Sequence, residues 1–175
     1  MKKILALIIL SFSGLTYADG NNDWQNIDEN IIKLNSLNSC QGCLLRNTNF
    51  IGADLNNAFL SGADFISADL SNANLYNANL EGSSLFGAKL NGSNLKNANL
   101  FGSNLFAVSL DGANLAGANL IEADLSLSSL NGVNFSKANL TNANLRGAEL
   151  SDAILDGAFL CNTLMPWGID NSSCQ

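Results

Sequence analysis

Ala73-Asn74-Leu75-Tyr76-Asn77 and Ala78-Asn79-Leu80-Glu81-Gly82 are successive copies of one five-residue unit: small, polar, Leu, variable, then Gly or Asn. The unit runs without a slip from Cys43 to Trp167, so these 125 residues hold 25 copies. A fixed short period is the mark of a solenoid, in which each unit buries its apolar side only by stacking on its neighbours.

Leu75 stands at the centre of its unit, and Ala73 lies two residues before it. The alternation across polar Asn74 puts Leu75 and Ala73 on one side of an extended segment. Every fifth residue from 45 to 165 is such a centre, Leu throughout except Phe50, Phe65, Phe135 and Met165. Two positions earlier the residue is always small or β-branched, from Cys43, Thr48 and Ala53 to Thr163. A narrow tube explains both restrictions: the centre fills the axis, and little more than a methyl group fits beside it. The last position is mostly Gly or Asn, as at Gly52, Asn57, Gly62 and Gly82. These types tolerate positive φ, so the chain is expected to turn its corners there.

With units such as Ala53-Asp54-Leu55-Asn56-Asn57 and Ala68-Asp69-Leu70-Ser71-Asn72, the stretch resembles the pentapeptide-repeat family and its A-(D/N)-L-x-x pattern. The resemblance covers about seven-tenths of the chain. It implies an all-β solenoid, a right-handed quadrilateral β-helix with four units per coil. On that reading the 25 units make about six coils, and at ~4.8 Å per coil a rod roughly 30 Å long. Residues 20 apart then become vertical neighbours. Asn74, Asn94, Asn114 and Asn134 form one outer column and Asn79, Asn99, Asn119 and Asn139 another, each able to bond amide to amide along the rod. Ile66, Phe86 and Phe106 form an apolar column on one face; Phe101 and Ile121 pair on the adjacent face, with Leu127 nearby. Clustered exposed apolar residues mark a contact surface where scattered ones do not. These six residues are therefore the candidate patch for a protein partner or for self-association.

The segments outside the repeats read differently. Residues 1–18 have the form of a signal peptide: Lys2 and Lys3, an apolar run from Ile4 to Leu10, then Thr16-Tyr17-Ala18 with cleavage expected after Ala18. The run is too short for a membrane span, which needs about 20 apolar residues. Residues 19–42 are a polar capping segment with one amphipathic helix. Trp24, Ile27, Ile31 and Leu34 share a face, Asn22 or Asp23 serves as N-cap, and Asp28 and Glu29 suit the first turns. Residues 168–175 are the C-terminal cap and tail. The only Pro lies where the repeat of residues 43–167 stops, in Pro166-Trp167-Gly168-Ile169-Asp170, with Trp167 or Ile169 expected to cover the end of the axis.

Four cysteines in an exported chain argue for disulfides. On the fold that the resemblance implies, Cys40 and Cys43 stand at one end of the rod and Cys161 and Cys174 at the other. Bridged Cα atoms lie within about 7 Å, which leaves Cys40–Cys43 and Cys161–Cys174. The same separation argues against a four-cysteine zinc site. Repeat follows Cys43 directly, without the βαβ context of a redox Cys-x-x-Cys.

No catalytic set, cofactor or metal site is legible. There is no histidine, hence no imidazole base or ligand. Asp54, Asp64, Asp69, Asp124 and Glu149 fall where the repeat pattern already places a polar residue. The net charge of −7 becomes about −9 without Lys2 and Lys3, which disfavours nucleic acid and anionic membrane as ligands. The expected function is a non-enzymatic periplasmic or secreted rod that presents surface to a protein. The resemblance also implies two alternatives. Some cytoplasmic members mimic DNA and bind type II topoisomerases, and others are secreted effectors. The ten acids and five bases of the repeats, with Asp64 below Ser84 and Asp54 below Asn74, are weak for a phosphate mimic.

Overall fold

The computed structural model describes residues 23–174. The expected signal peptide and its cleavage point lie outside the described residues, as does the side chain of Trp24.

The residue before each centre forms a parallel bridge to the residue 20 further on: Leu44 to Asp64, Asp64 to Ser84, Ser84 to Asn104, and so to Asn144 with Leu164. Four units therefore complete one turn, and the sides can be named by their first centres, Leu45, Phe50, Leu55 and Leu60. Each unit bonds in both directions. Asn74 N–H donates down to Ala53 C=O, and Leu75 N–H donates up to Asn94 C=O, both at 2.8 Å. Between sides, Leu75 C=O accepts from Ala78 N–H at 3.0 Å, closing a four-residue turn. The third residue of such a turn needs positive φ. Every fifth residue from Gly42 to Asn162 has it, at 53 to 70°.

The centres fill the axis. From Leu45 to Leu145 they are all buried, with Phe50 and Phe65 meeting edge to face at 5.9 Å between ring centroids. Each such Leu contributes roughly 1.5–3 kcal/mol by leaving water. From Ala53 to Ala148 the small position beside them is closed as well. The Ser93 and Ser103 hydroxyls turn to the backbone, at Leu90 C=O and Leu100 C=O, whereas the buried Ser83 hydroxyl has no partner among the described residues.

Helix α1, Asp23–Leu37, precedes the repeats. Ile31 and Leu34 are buried in the same cluster as Leu45 and Phe50, and Ile27 packs against it. Asn30 Nδ2 donates to Leu44 C=O at 3.2 Å. Asn38, at φ 51°, ends the helix with its N–H on Leu34 C=O. Cys40 and Cys43, both buried, are joined by a disulfide, and so are Cys161 and Cys174.

At the far end, β1 (Thr163–Met165) and β2 (Gly168–Asp170) pair antiparallel, with Met165 opposite Gly168. Pro166 and Trp167 are the two loop residues of this hairpin. The expectation that Trp167 or Ile169 covers the axis is corrected: they are 67% and 64% exposed. Trp167 lies in the two-residue loop, which carries its side chain away from the strands, and Ile169 lies on the exposed face of β2. The axis on that side is closed instead by Met165 and Thr163.

Candidate functional site

The outer surface is built from two kinds of column. Where the residue before the centre is Asn or Asp, its side-chain oxygen accepts the backbone N–H two residues on, as Asn74 does from Tyr76, Asn99 from Phe101 and Asn104 from Phe106. Its amide then donates to the coil below: Asn74 to Asp54 at 2.9 Å, Asn94 to Asn74 at 3.0 Å, Asn119 to Asn99 at 2.9 Å. One carboxamide thus fixes a corner and links two coils.

The Phe50 side keeps this arrangement at Asn49 and Asp69 but above them solves the same problem another way. There the position before the centre is Lys89, Ser109 or Ser129, none of which carries a carboxamide. Asn91, after the centre, takes over: its Oδ1 accepts the Ser109 hydroxyl at 2.7 Å and Asp111 N–H at 2.9 Å. Asp111 repeats the arrangement with Ser129 and Asn131. This second ladder uses the variable position, which period and composition do not single out.

Against this amide surface the six candidate residues stand out. Phe86 and Phe106 stack with centroids 5.5 Å apart and planes 3° from parallel, the offset a stacked pair prefers at one coil's spacing. Phe86 is 44% exposed, Ile66 below it and Phe106 above it are half-buried. The stripe is closed above by Ser126, whose hydroxyl bonds Asp124, and below by Arg46, which pairs with Asp64 at 2.6 Å. Phe101 is exposed and Ile121 half-buried in their own column. The bridge register separates that column from the Phe86 column by the polar one of Ser84, Asn104 and Asp124. Leu127, 60% exposed, occupies the corner on the other flank, at φ 57°. The candidate residues thus form two apolar stripes, after centres on adjacent sides of the coil, with a polar line between them.

Several exposed apolar residues that the column reading missed lie toward the ends. Phe59, Ile154 and Phe159 occupy the polar position before a centre, and that break in the unit pattern was their available signal. Among the described residues no group of three His, Cys, Asp or Glu side chains could hold a metal ion, and no helix is long and apolar enough to cross a membrane.

The pentapeptide-repeat profile matches this chain in eight copies that together span residues 43–165. The chain belongs to the pentapeptide-repeat family. No curated protein matches it. Among solved structures it is similar to the pentapeptide repeat protein Rfr23 of the cyanobacterium Cyanothece 51142, at 29% identity and TM-score 0.56 over 73% of this chain and 97% of that one. It is also similar to QnrB1, a plasmid-mediated fluoroquinolone resistance protein, at 22% identity and TM-score 0.59 over 69% of this chain. The chain spans 61% of the length of that structure, and at this identity the likeness is one of fold. These neighbours imply a right-handed quadrilateral β-helix for the repeats described above. Proteins of this family are generally structural or interaction proteins.

Proposed function

We propose that this pentapeptide-repeat protein is exported and works without catalysis, as a rod whose outer face is read by a protein partner or by a second copy of itself. The docking face is the pair of stripes Ile66, Phe86, Phe106 and Phe101, Ile121, with Leu127 at the corner. The observation that carries this reading is the exposed Phe86–Phe106 stack, since every neighbouring column could bear Asn or Ser at no cost to the core. In this proposal residues 1–18 are removed and 19–42 cap the start. Residues 43–167 form about six coils, and 168–175 close the end. The two disulfides are consistent with that history.

Two experiments test it. Protein recovered from the periplasm of an expressing Gram-negative host should have a mass that begins at Asp19 and lacks four hydrogens. An intact Met1 with four thiols, recovered only from cytoplasm, would favour the topoisomerase-binding alternative that the family resemblance implies. Replacing Phe86 and Phe106 together by Ser should leave melting nearly unchanged while altering oligomeric state or capture of the partner. If neither changes, the stripe is not the docking face.

A further inference from the structure

Two sides of the last coil end in open backbone. Among the described residues no hydrogen bond reaches the N–H of Leu150 or Leu155, or the C=O of Ala148 or Ala153. One coil lower the equivalent groups hold the coil above: Leu130 N–H donates to Glu149 C=O and Phe135 N–H to Ile154 C=O, each at 2.8 Å. The interior follows the backbone. Leu130 and Phe135 are fully buried, Leu150 and Leu155 only partly.

The other two sides are finished by the chain itself. Strand β2 covers β1 on the Leu45 side. On the Leu60 side Ser173 N–H donates to Leu160 C=O at 3.2 Å, held there by the Cys161–Cys174 bridge. At the starting end the backbone groups of Asn49 and Asp54 are likewise without a hydrogen bond among the described residues, but the interior there is closed, because Leu45, Phe50 and Leu55 are all buried.

The open sides also carry one sign of charge. Residues 148–157 hold Glu149, Asp152 and Asp156 and no base. All three acids are exposed, and none is in an ion pair among the described residues. Ile154 stands exposed between Asp152 and Asp156.

We infer that the Ala148–Leu150 and Ala153–Leu155 edges accept an extended segment of another protein by strand addition, a segment in which apolar and basic residues alternate. The free N–H and C=O groups supply the ladder. Period-two alternation places an apolar side chain over Leu150 or Leu155 and its basic neighbours outward, toward Glu149, Asp152 and Asp156. A second copy that presented the same open sides would set these acids against themselves, so charge favours a cationic partner over self-association here.

The test uses the full mature protein and short synthetic peptides alternating lysine with valine or glutamate with valine. The lysine peptide should slow hydrogen exchange at the Leu150 and Leu155 amides and leave the Leu95 amide unchanged, and the glutamate peptide should do neither. Asp152→Asn with Asp156→Asn should weaken lysine-peptide binding several-fold and flatten its salt dependence, with melting unaltered. The inference is overturned if the lysine peptide leaves both amides unprotected or if the two peptides act alike. It is equally overturned if rising protein concentration alone protects those amides, since a second copy would then fill the end.

Discussion

A Cβ placed on Gly147 would stand 2.7 Å from Leu127 Cδ2, the tip of the corner residue directly below it. Both sit at corners with positive φ, 70° for Gly147 and 57° for Leu127. Leu127 is the larger anomaly, because a branched side chain in this region costs roughly 1–2 kcal/mol. Gly147→Ala should therefore destabilise by about 1–2 kcal/mol, through backbone strain more than through contact, since a leucine tip can move aside. The check is a double-mutant cycle by thermal melting. In a Leu127→Ala background the cost of Gly147→Ala should change by less than about 0.5 kcal/mol. A much larger coupling would place the cost in the contact.

Leu127→Gly follows from the same corner and should act in the opposite direction. It relieves left-handed strain but loosens the unfolded chain, so the net gain is small, about 0.5–1 kcal/mol. A lower melting temperature would mean that the 60% exposed side chain still contributes packing along the corner.

Core truncation should depend on position along the rod. Leu95 is 1% exposed with coils on both sides, whereas Leu155 is half-buried, with no coil above it among the described residues. Leu95→Ala should cost about 2–5 kcal/mol, and Leu155→Ala less than half of that. Leu95→Asp should unfold or fray the rod, because a buried carboxylate there has no partner. Urea melts of the three variants rank them. Equal costs for the two alanine variants would show that the last coil is as well packed as the middle.

The difference between these two leucines also shows how far the sequence could be read. Period and residue size identify Leu75 as core and Ala73 as its neighbour, because a narrow tube admits few alternatives. The corner at Asn77 follows from the need for positive φ. By contrast, the ladder through Asn91 and Asp111 uses the variable position. It becomes visible only once Ser109 and Ser129 are known to lie beside those oxygens. Trp167 misleads for a related reason: a large apolar residue after the last unit suggests a plug, but Pro166-Trp167 is a hairpin loop. The open edges at Leu150 and Leu155 were hidden because the pattern continues unbroken past the last coil that has one above it. For the candidate patch, the columns follow from the period of 20, but the stacking of Phe86 on Phe106 and the polar line beside it do not.

Stability should be flat from about pH 5 to 8, since no histidine titrates there. It should fall in acid. The Asn56 side chain holds the Asp54 carboxyl below its usual 3.8, partial burial opposes this, and the Asn56 N–H and the Asn74 amide add to the lowering. Asp69 is lowered chiefly by the Ser71 hydroxyl, again against burial, with Ser71 N–H and Lys89 assisting. A carboxyl depressed in the folded state stabilises fully above its unfolded value and loses that contribution as pH falls through the folded value. Melting temperature should therefore decline below about pH 4. Asp54→Asn with Asp69→Asn should blunt the decline, because an amide oxygen still accepts the Asn56 and Ser71 N–H groups. An unchanged acid limb would assign the effect to other carboxylates.

The two disulfides should differ in their response to reductant. Cys40 and Cys43 are 0% and 4% exposed beneath α1, while Cys161 is half-buried and Cys174 exposed. Thiol–disulfide exchange requires in-line access to a sulfur, so mild dithiol treatment of the folded protein should open Cys161–Cys174 first. The loop it closes spans 13 residues, for which the lost constraint is worth up to about 3 kcal/mol. That loss falls on the tail that covers the Leu60 side. Mass spectrometry after brief reduction and alkylation should show two labels, on Cys161 and Cys174. Hydrogen exchange should then rise at Leu160 and in β2 while the amides from Leu45 to Leu100 keep their protection. Simultaneous labelling of all four cysteines would mean that α1 leaves its end of the rod as readily as the tail leaves the other.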